Sequence, residues 1–270
     1  MPLCQCNFFS KSLNNMTNLL VYLPMPGRSD CSKMSLEEIF PSGKKFKTLY
    51  LLHGMYGDET VWIRKSNVER YAELKQIALV MPSVQNSFYS DMDIGLHYYT
   101  YLTEELPRFC QFYFPLSSKR EDNFIAGLSM GGYGACKAAL SKPDQYTAFA
   151  SLSGSMDIEE VYRLASTDEE LRLFSSTFGP HENFSGSPHD LFSLSSRLLK
   201  SQTTLPKAYL ACGTEDKLCY SMNTSFRNHL QKIGFPFTYE EAKGEHNWDF
   251  WDPFIKRVLD WLPLSESETT

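Results

Sequence analysis

No stretch of the sequence approaches the roughly 20 consecutive apolar residues that a membrane-spanning helix requires. Met1 to Ser10 lacks a basic segment followed by an apolar one, so no secretory leader is expected and the expected location is cytoplasmic. Neither Gly-x-Gly-x-x-Gly nor a phosphate-binding Gly-x-x-x-x-Gly-Lys-Ser/Thr loop occurs, which argues against a nucleotide cofactor. A net charge of -6 provides no electrostatic footprint for nucleic acid. The seven cysteines are odd in number and show no framework spacing, so they are expected as reduced thiols. Asp91-Met92-Asp93-Ile94-Gly95 is only a fragment of a calcium loop, without the later ligands and the bidentate Glu, and no metal is expected. No Pro/Gly/Ser-rich linker or charge block divides the chain. A single domain over 1–264 is therefore expected, followed by a frayed acidic tail at 265–270.

What the sequence does contain is a series of short, nearly continuous apolar runs: Leu19 to Leu23, Phe46 to Leu52, Ile77 to Met81, Phe124 to Leu128, Ala148 to Leu152, Ala208 to Cys212 and Phe235 to Tyr239. Continuous apolarity suits strands covered on both faces. Helical patterns intervene at Val61 to Lys75, Leu96 to Tyr113, Gly132 to Lys142, Ser221 to Ile233 and Trp248 to Leu262. Strand alternating with helix predicts an α/β fold with a mostly parallel central sheet and helices on both faces. The first two runs have no clear helix between them and are expected to pair as an antiparallel edge. Met156 to Thr203 breaks the rhythm with short amphipathic pieces and reads as a small helical insertion over the carboxyl edge of the sheet, where ligands bind in open α/β folds.

Gly127-Leu128-Ser129-Met130-Gly131 lies where an apolar strand gives way to a small-residue helix. Glycines two residues either side of a serine permit the sharp strand-to-helix turn that exposes a nucleophilic hydroxyl. The pentapeptide alone arises by chance in roughly one chain in ten of this length, so its context matters more than its pattern. A serine needs a histidine to take its proton and a carboxylate to fix that histidine's tautomer. Gly213-Thr214-Glu215-Asp216 follows the run ending at Cys212 and supplies the acid, with Asp216 the better placed and Glu215 its competitor. Gly244-Glu245-His246-Asn247-Trp248 lies just before the last helix and supplies the base, His246. The order Ser129, Asp216, His246 is the chain order of such a triad on an α/β sheet.

Acyl transfer also needs donors for a developing oxyanion, and the backbone amides of Met130 and Met55 are the candidates, with Gly54 letting the chain approach. Trp62 and Trp248, with Met156 and Leu191 of the insertion, are candidates for the wall of an apolar substrate pocket.

Six segments in order carry a family resemblance: Leu51 to Gly57, Asn67 to Arg70, Tyr98 to Pro107, Gly127 to Ala135, Cys212 to Asp216, and Gly244 to Trp248. On these the chain, from about Asn7 to Pro263, resembles the esterase D-like branch of the α/β-hydrolases, and most closely the tributyrin esterase group of short-chain carboxylesterases. The resemblance implies Ser129 as nucleophile, Asp216 and His246 as its partners, and Met55 and Met130 as oxyanion donors. S-formylglutathione hydrolases are similar, but there the serine motif typically continues Ser-Met-Gly-Gly-His-Gly, and here Tyr133 takes the place of that histidine. The expected activity is hydrolysis of short-chain acyl esters. Alternatives are S-formylglutathione or feruloyl and acetyl-sugar esters, and, from another class, a catalytically silent binding protein. The expected partner is a small-molecule ester, and the sequence leaves a homo-oligomer open.

Overall fold

The computed structural model describes residues 2–180 and 184–264, so the expected tail at 265–270 lies outside the described residues. Eight strands form one sheet: β1 (Leu3–Ser10), β2 (Asn15–Tyr22), β3 (Thr48–Leu52), β4 (Ala78–Pro82), β5 (Asn123–Leu128), β6 (Ala148–Leu152), β7 (Lys207–Gly213) and β8 (Phe237–Ala242). Their order is β1-β2-β4-β3-β5-β6-β7-β8. β1 pairs antiparallel with β2, β2 pairs antiparallel with β4, and every pairing from β4 to β8 is parallel.

The continuous apolar runs have the expected cause. Along β3, Tyr50 and Leu52 pack into one core cluster, whereas Leu49 and Leu51 pack into the cluster on the opposite face. β5 divides in the same way, with Ile125 on the first face and Phe124, Ala126 and Leu128 on the second. Neighbouring side chains on a strand point to opposite faces, so only a sheet covered on both sides keeps every position apolar.

Twelve α-helical segments accompany the strands among the described residues. Two single turns, α1 (Arg28–Cys31) and α2 (Leu36–Ile39), lie between β2 and β3, and α3 (Val61–Lys65) and α4 (Val68–Leu74) between β3 and β4. α5 (Tyr98–Thr100) runs through a π-helical turn, Tyr101–Glu105, into α6 (Leu106–Tyr113). α7 (Met130–Ser141) follows β5; α8 (Ile158–Leu164), α9 (Asp168–Phe178) and α10 (Leu191–Lys200) separate β6 from β7. α11 (Tyr220–Ile233) and α12 (Trp248–Trp261) flank β8. Among the described residues no helix is long and apolar enough to cross a membrane.

Two expectations require correction, and one strand was missed. The run Phe46 to Leu52 is not an antiparallel partner of Leu19 to Leu23. β3 lies inside the sheet, parallel to β4 and β5, and β2 instead pairs with β1 and β4. β1 escaped notice because it is an edge strand whose alternate positions face solvent, so its apolarity is interrupted. The expected helix Val61 to Lys75 is broken at Ser66, which is extended. There the Ser66 hydroxyl donates to the Trp62 carbonyl (2.6 Å), and the Asn67 amide donates to Asp252 (2.7 Å).

One buried charge ties these layers together. Lys137, on α7, is 3% exposed. Its ammonium donates to Ser90 Oγ (2.8 Å) and faces His189 Nδ1 (3.2 Å), with the rings of Tyr99 and Tyr133 at 5.2 and 5.8 Å and Asp91 nearby. Burial pulls the Lys137 pKa down to about 7, against the opposing pull of Asp91, and burial next to this ammonium lowers His189 to about 3. Between about pH 7 and the ordinary lysine range the unfolded chain binds the proton that the folded chain has released, so this group makes stability rise with pH through that window. Lys137→Met should flatten the rise, which is worth about 1.4 kcal/mol per pKa unit. Urea unfolding at pH 7 and pH 10 measures it, and equal slopes in the two proteins would refute the assignment.

Candidate active site

Ser129 forms the turn between β5 and α7 with φ 53° and ψ -121°, a conformation in which a residue with a Cβ is strained. Two contacts explain why its flanking residues are glycines. A Cβ on Gly127 would meet the Gly131 backbone at 2.4 Å, and one on Gly131 would meet the Leu52 carbonyl oxygen at 2.4 Å. Strand, helix and the neighbouring strand thus approach closely enough that only hydrogen fits between them. The Ser129 amide donates to the Leu152 carbonyl (2.9 Å), and the Ser155 amide donates to the Ser129 carbonyl (3.2 Å), so both sides of the strained residue are held.

The loops after β7 and β8 deliver the other two groups. They run side by side because Gly213 faces Gly244; a Cβ on Gly213 would lie 2.3 Å from the Gly244 carbonyl oxygen. The Thr214 and Glu215 amides donate across to the Ala242 and Gly244 carbonyls, both at 2.9 Å. Asp216 is 1% exposed. Its Oδ1 accepts the Leu218 (3.1 Å) and Cys219 (2.8 Å) amides, and its Oδ2 accepts from His246 Nδ1 (2.8 Å). With its Nδ1 proton committed there, His246 presents Nε2 to the Ser129 hydroxyl at 3.0 Å. The edge of Trp251 closes over the imidazole, ring centres 4.9 Å apart.

Burial alone would push the Asp216 carboxyl up, but the His246 hydrogen bond and charge, with the Cys219 amide, outweigh it and hold the group below the usual carboxylate range. Glu215, the competing acid, is exposed and pairs with Lys243 at 3.7 Å. Cys219 brings its sulfur within 4.8 Å of donor atoms of Asp216 and His246. Burial and the adjacent carboxylate keep that thiol protonated, and both Asp216 oxygens are already engaged, so the trio is a poor donor set for a metal.

The loop after β3 passes directly over Ser129. A Cβ on Gly54 would lie 2.7 Å from Leu128 Cδ1 and 3.3 Å from Ser129 Cβ. Met55 follows and lines the cavity at the serine; Met130 is the first residue of α7, where helical amides lack intrahelical acceptors. His53 supports this loop from below. Its Nδ1 donates to the Gly54 carbonyl (2.7 Å), its Nε2 accepts the Val84 amide (3.1 Å), and its own carbonyl accepts the Tyr89 hydroxyl (2.9 Å). Burial depresses the His53 pKa, which keeps the ring neutral and able to accept at Nε2.

A cavity of about 410 Å³ opens beside Ser129 and His246. Its wall includes Met55, Val161, Leu164, Phe174, Met222, Trp248 and Trp251. Of the four sequence candidates for the pocket wall, Trp248 is among the residues lining this cavity. Trp62, Met156 and Leu191 are not. Trp62 is buried behind Trp248, ring to ring at 5.1 Å, with its indole N–H donated to the Leu52 carbonyl (3.0 Å). Met156 and Leu191 line a separate cavity of about 240 Å³ together with Phe184 and His189. The insertion does reach the site, but through α8 and α9.

Residues 10–262 match the family model described as "Putative esterase". The chain belongs to this esterase family. It is a carboxylic ester hydrolase with the α/β-hydrolase fold, and similar proteins include an acetyl esterase of Caldicellulosiruptor saccharolyticus, 32% identical over 97% of this chain and 98% of that one. Among solved structures, the fluorophosphonate-binding serine hydrolase FphF of Staphylococcus aureus superposes with a TM-score of 0.86 at 33% identity, covering 98% of this chain and 99% of that chain. The S-formylglutathione hydrolase FrmB of Staphylococcus aureus gives 0.82 at 34% identity, covering 97% and 98%.

Sequence reasoning missed one structural support of the esterase's cavity. Asn86 Oδ1 accepts the Tyr56 amide at 2.8 Å, and Tyr56, next to Met55, sits at φ 63°. Gln85, Phe88 and Tyr89 in the same strap also have positive φ, with values of 50 to 53°. The strap follows the carboxyl end of β4, a position that marks ligand-proximal loops in this fold class. For the paired loops, Gly213→Ala should cost about 1–3 kcal/mol by overpacking. It should also displace His246, seen as loss of the downfield Nδ1–H proton resonance. An unshifted resonance would mean the Gly213 and Gly244 contact does not position the imidazole.

Proposed function

We propose that the chain is a serine carboxylesterase of the tributyrin esterase type that hydrolyses short-chain acyl esters. The single observation that carries this reading is the continuous relay Ser129 Oγ to His246 Nε2 (3.0 Å) and His246 Nδ1 to Asp216 Oδ2 (2.8 Å). In this reading Ser129 Oγ attacks the acyl carbon while His246 Nε2 takes its proton. Asp216 keeps the imidazole in the accepting tautomer and stabilises the imidazolium. The carbonyl oxygen becomes an oxyanion held by the Met55 and Met130 amides, each donor worth about 10² to 10³ in rate. Collapse of the tetrahedral species sends the proton from His246 to the departing alkoxide and leaves an acyl-Ser129. Water, deprotonated by His246, then releases the acid.

The apolar cavity wall supports a neutral acyl group, and the acetyl esterase relative points the same way. Among the described residues, apart from Ser129 and His246, the hydroxyl and carboxyl side chains that line it come only from Tyr56, Ser155 and Glu170, which suits simple esters better than sugar esters with many hydroxyls. The thioester reading has one finding in its favour, the likeness to an S-formylglutathione hydrolase. Against it, glutathione carries two carboxylates, and no Lys or Arg is among the described residues that line the cavity. Seven free thiols, four of them buried, support a reducing compartment such as the cytoplasm.

The kcat/KM for p-nitrophenyl acetate, butyrate and octanoate and for S-formylglutathione tests the assignment, with acetate or butyrate expected to lead. Ser129→Ala should lower turnover by at least about 10³-fold, and residual activity equal to wild type would remove Ser129 from the mechanism. His246→Ala should lower turnover to a similar extent, because the members of such a relay act as a unit, and unimpaired turnover in that variant would exclude His246 as the base.

A further inference from the structure

Among the described residues, Glu170 is the only carboxylate lining the cavity beside Ser129, and no described lysine or arginine accompanies it there. Its presence in an apolar wall calls for a reason. The side chain is fixed at the start of α9, where Oε2 accepts both the Ser166 amide (2.7 Å) and the Ser166 hydroxyl (2.9 Å). These bonds hold the carboxyl below its ordinary range, so it is ionised at neutral pH. Oε1 takes part in neither bond. A helix start needs an acceptor at this point, which a glutamine would also provide, so capping alone does not account for the charge.

The same cavity is lined by the rings of Tyr56, Phe174, Trp248 and Trp251. Trp248 and Trp251 stand perpendicular, 5.3 Å between centres, so they present faces in two directions. Aromatic faces beside one carboxylate are the surroundings that ammonium groups favour, through the ring quadrupole and through charge. The first turns of α8 and α9 also carry Glu159, Glu160, Asp168 and Glu169, of which Glu160 is paired with Arg163.

We infer that Glu170 and these rings form a cation-accepting subsite, and that the preferred esters carry an ammonium group. This rests on the reading of Ser129 as nucleophile. The subsite selects by charge and leaves the chemistry unchanged. The ammonium sits against the rings and Glu170 while the ester carbonyl is at Ser129. Anionic esters meet the Glu170 charge with no compensating cation.

Three acetates of similar size test this: the choline ester, its uncharged 3,3-dimethylbutyl counterpart, and 3-acetoxypropanoate. Wild-type kcat/KM should favour the cation over the neutral ester by about threefold to tenfold, the scale of an exposed cation–ring contact, and the anion should rank last. Glu170→Gln should shrink the cation-to-neutral ratio, and 0.5 M KCl should shrink it in the wild type, because exposed charges are screened. Reading a ratio cancels any effect of the substitution on folding or on the relay. Equal rates for the three esters, a leading anion, or a ratio unaltered by Glu170→Gln would overturn the subsite. Hydrolysis of the neutral ester that persists in Ser129→Ala would instead overturn the esterase mechanism on which the subsite rests.

Discussion

The close approach of Gly131 to the Leu52 carbonyl, which leaves no room for a Cβ, is the constraint from which the rest of the site hangs. It sets how closely α7 lies over the junction of β3 and β5, and so how sharply the chain must turn at Ser129. The strain in that turn is offset locally by amide bonds on either side of the residue. It persists because both strands are buried on two faces and cannot give way. The serine hydroxyl is thus placed by backbone packing and does not depend on the conformation of a flexible side chain.

The loop over Ser129 obeys a second constraint, the neutrality of His53. A neutral imidazole can donate at one nitrogen and accept at the other. His53 uses both, gripping its own loop through the Gly54 carbonyl and the following strap through the Val84 amide. Protonation would put two donors face to face, and the buried setting that depresses the pKa prevents it. Met55 and the strap that carries Asn86 are consequently one unit, fixed to the sheet through the end of β3.

β5 and β7 were legible because they are buried and read as apolar runs ending in marked loops, and the half-buried edge strand β8 was legible from the apolar run Phe235 to Tyr239 and the glycine-marked loop that follows. Ser129, Asp216 and His246 fall at such ends, and the structure brings them into a single relay. What escaped was half-exposed or dependent on tertiary contacts. β1 alternates with solvent. α8 is a short amphipathic helix whose Val161 gains meaning only when it meets the cavity. Trp62 illustrates the limit from the other side: as an aromatic close in sequence to the loop after β3 it was a candidate for the pocket wall, but its indole N–H is satisfied by Leu52, which draws the ring behind Trp248. Nothing in a linear pattern distinguishes an aromatic that lines a cavity from one that backs it.

The aromatic cluster of Phe88, Tyr162, Phe174, Phe178 and Phe184 joins the helices after β6 to the body of the fold. Ser129, Asp216 and His246 hang from the carboxyl ends of β5, β7 and β8, whereas much of the wall of the cavity beside them belongs to this separately rooted cap. Such a division lets the cap be exchanged or reshaped over evolutionary time while the reaction centre keeps its geometry, so that selectivity and chemistry are free to vary on independent schedules.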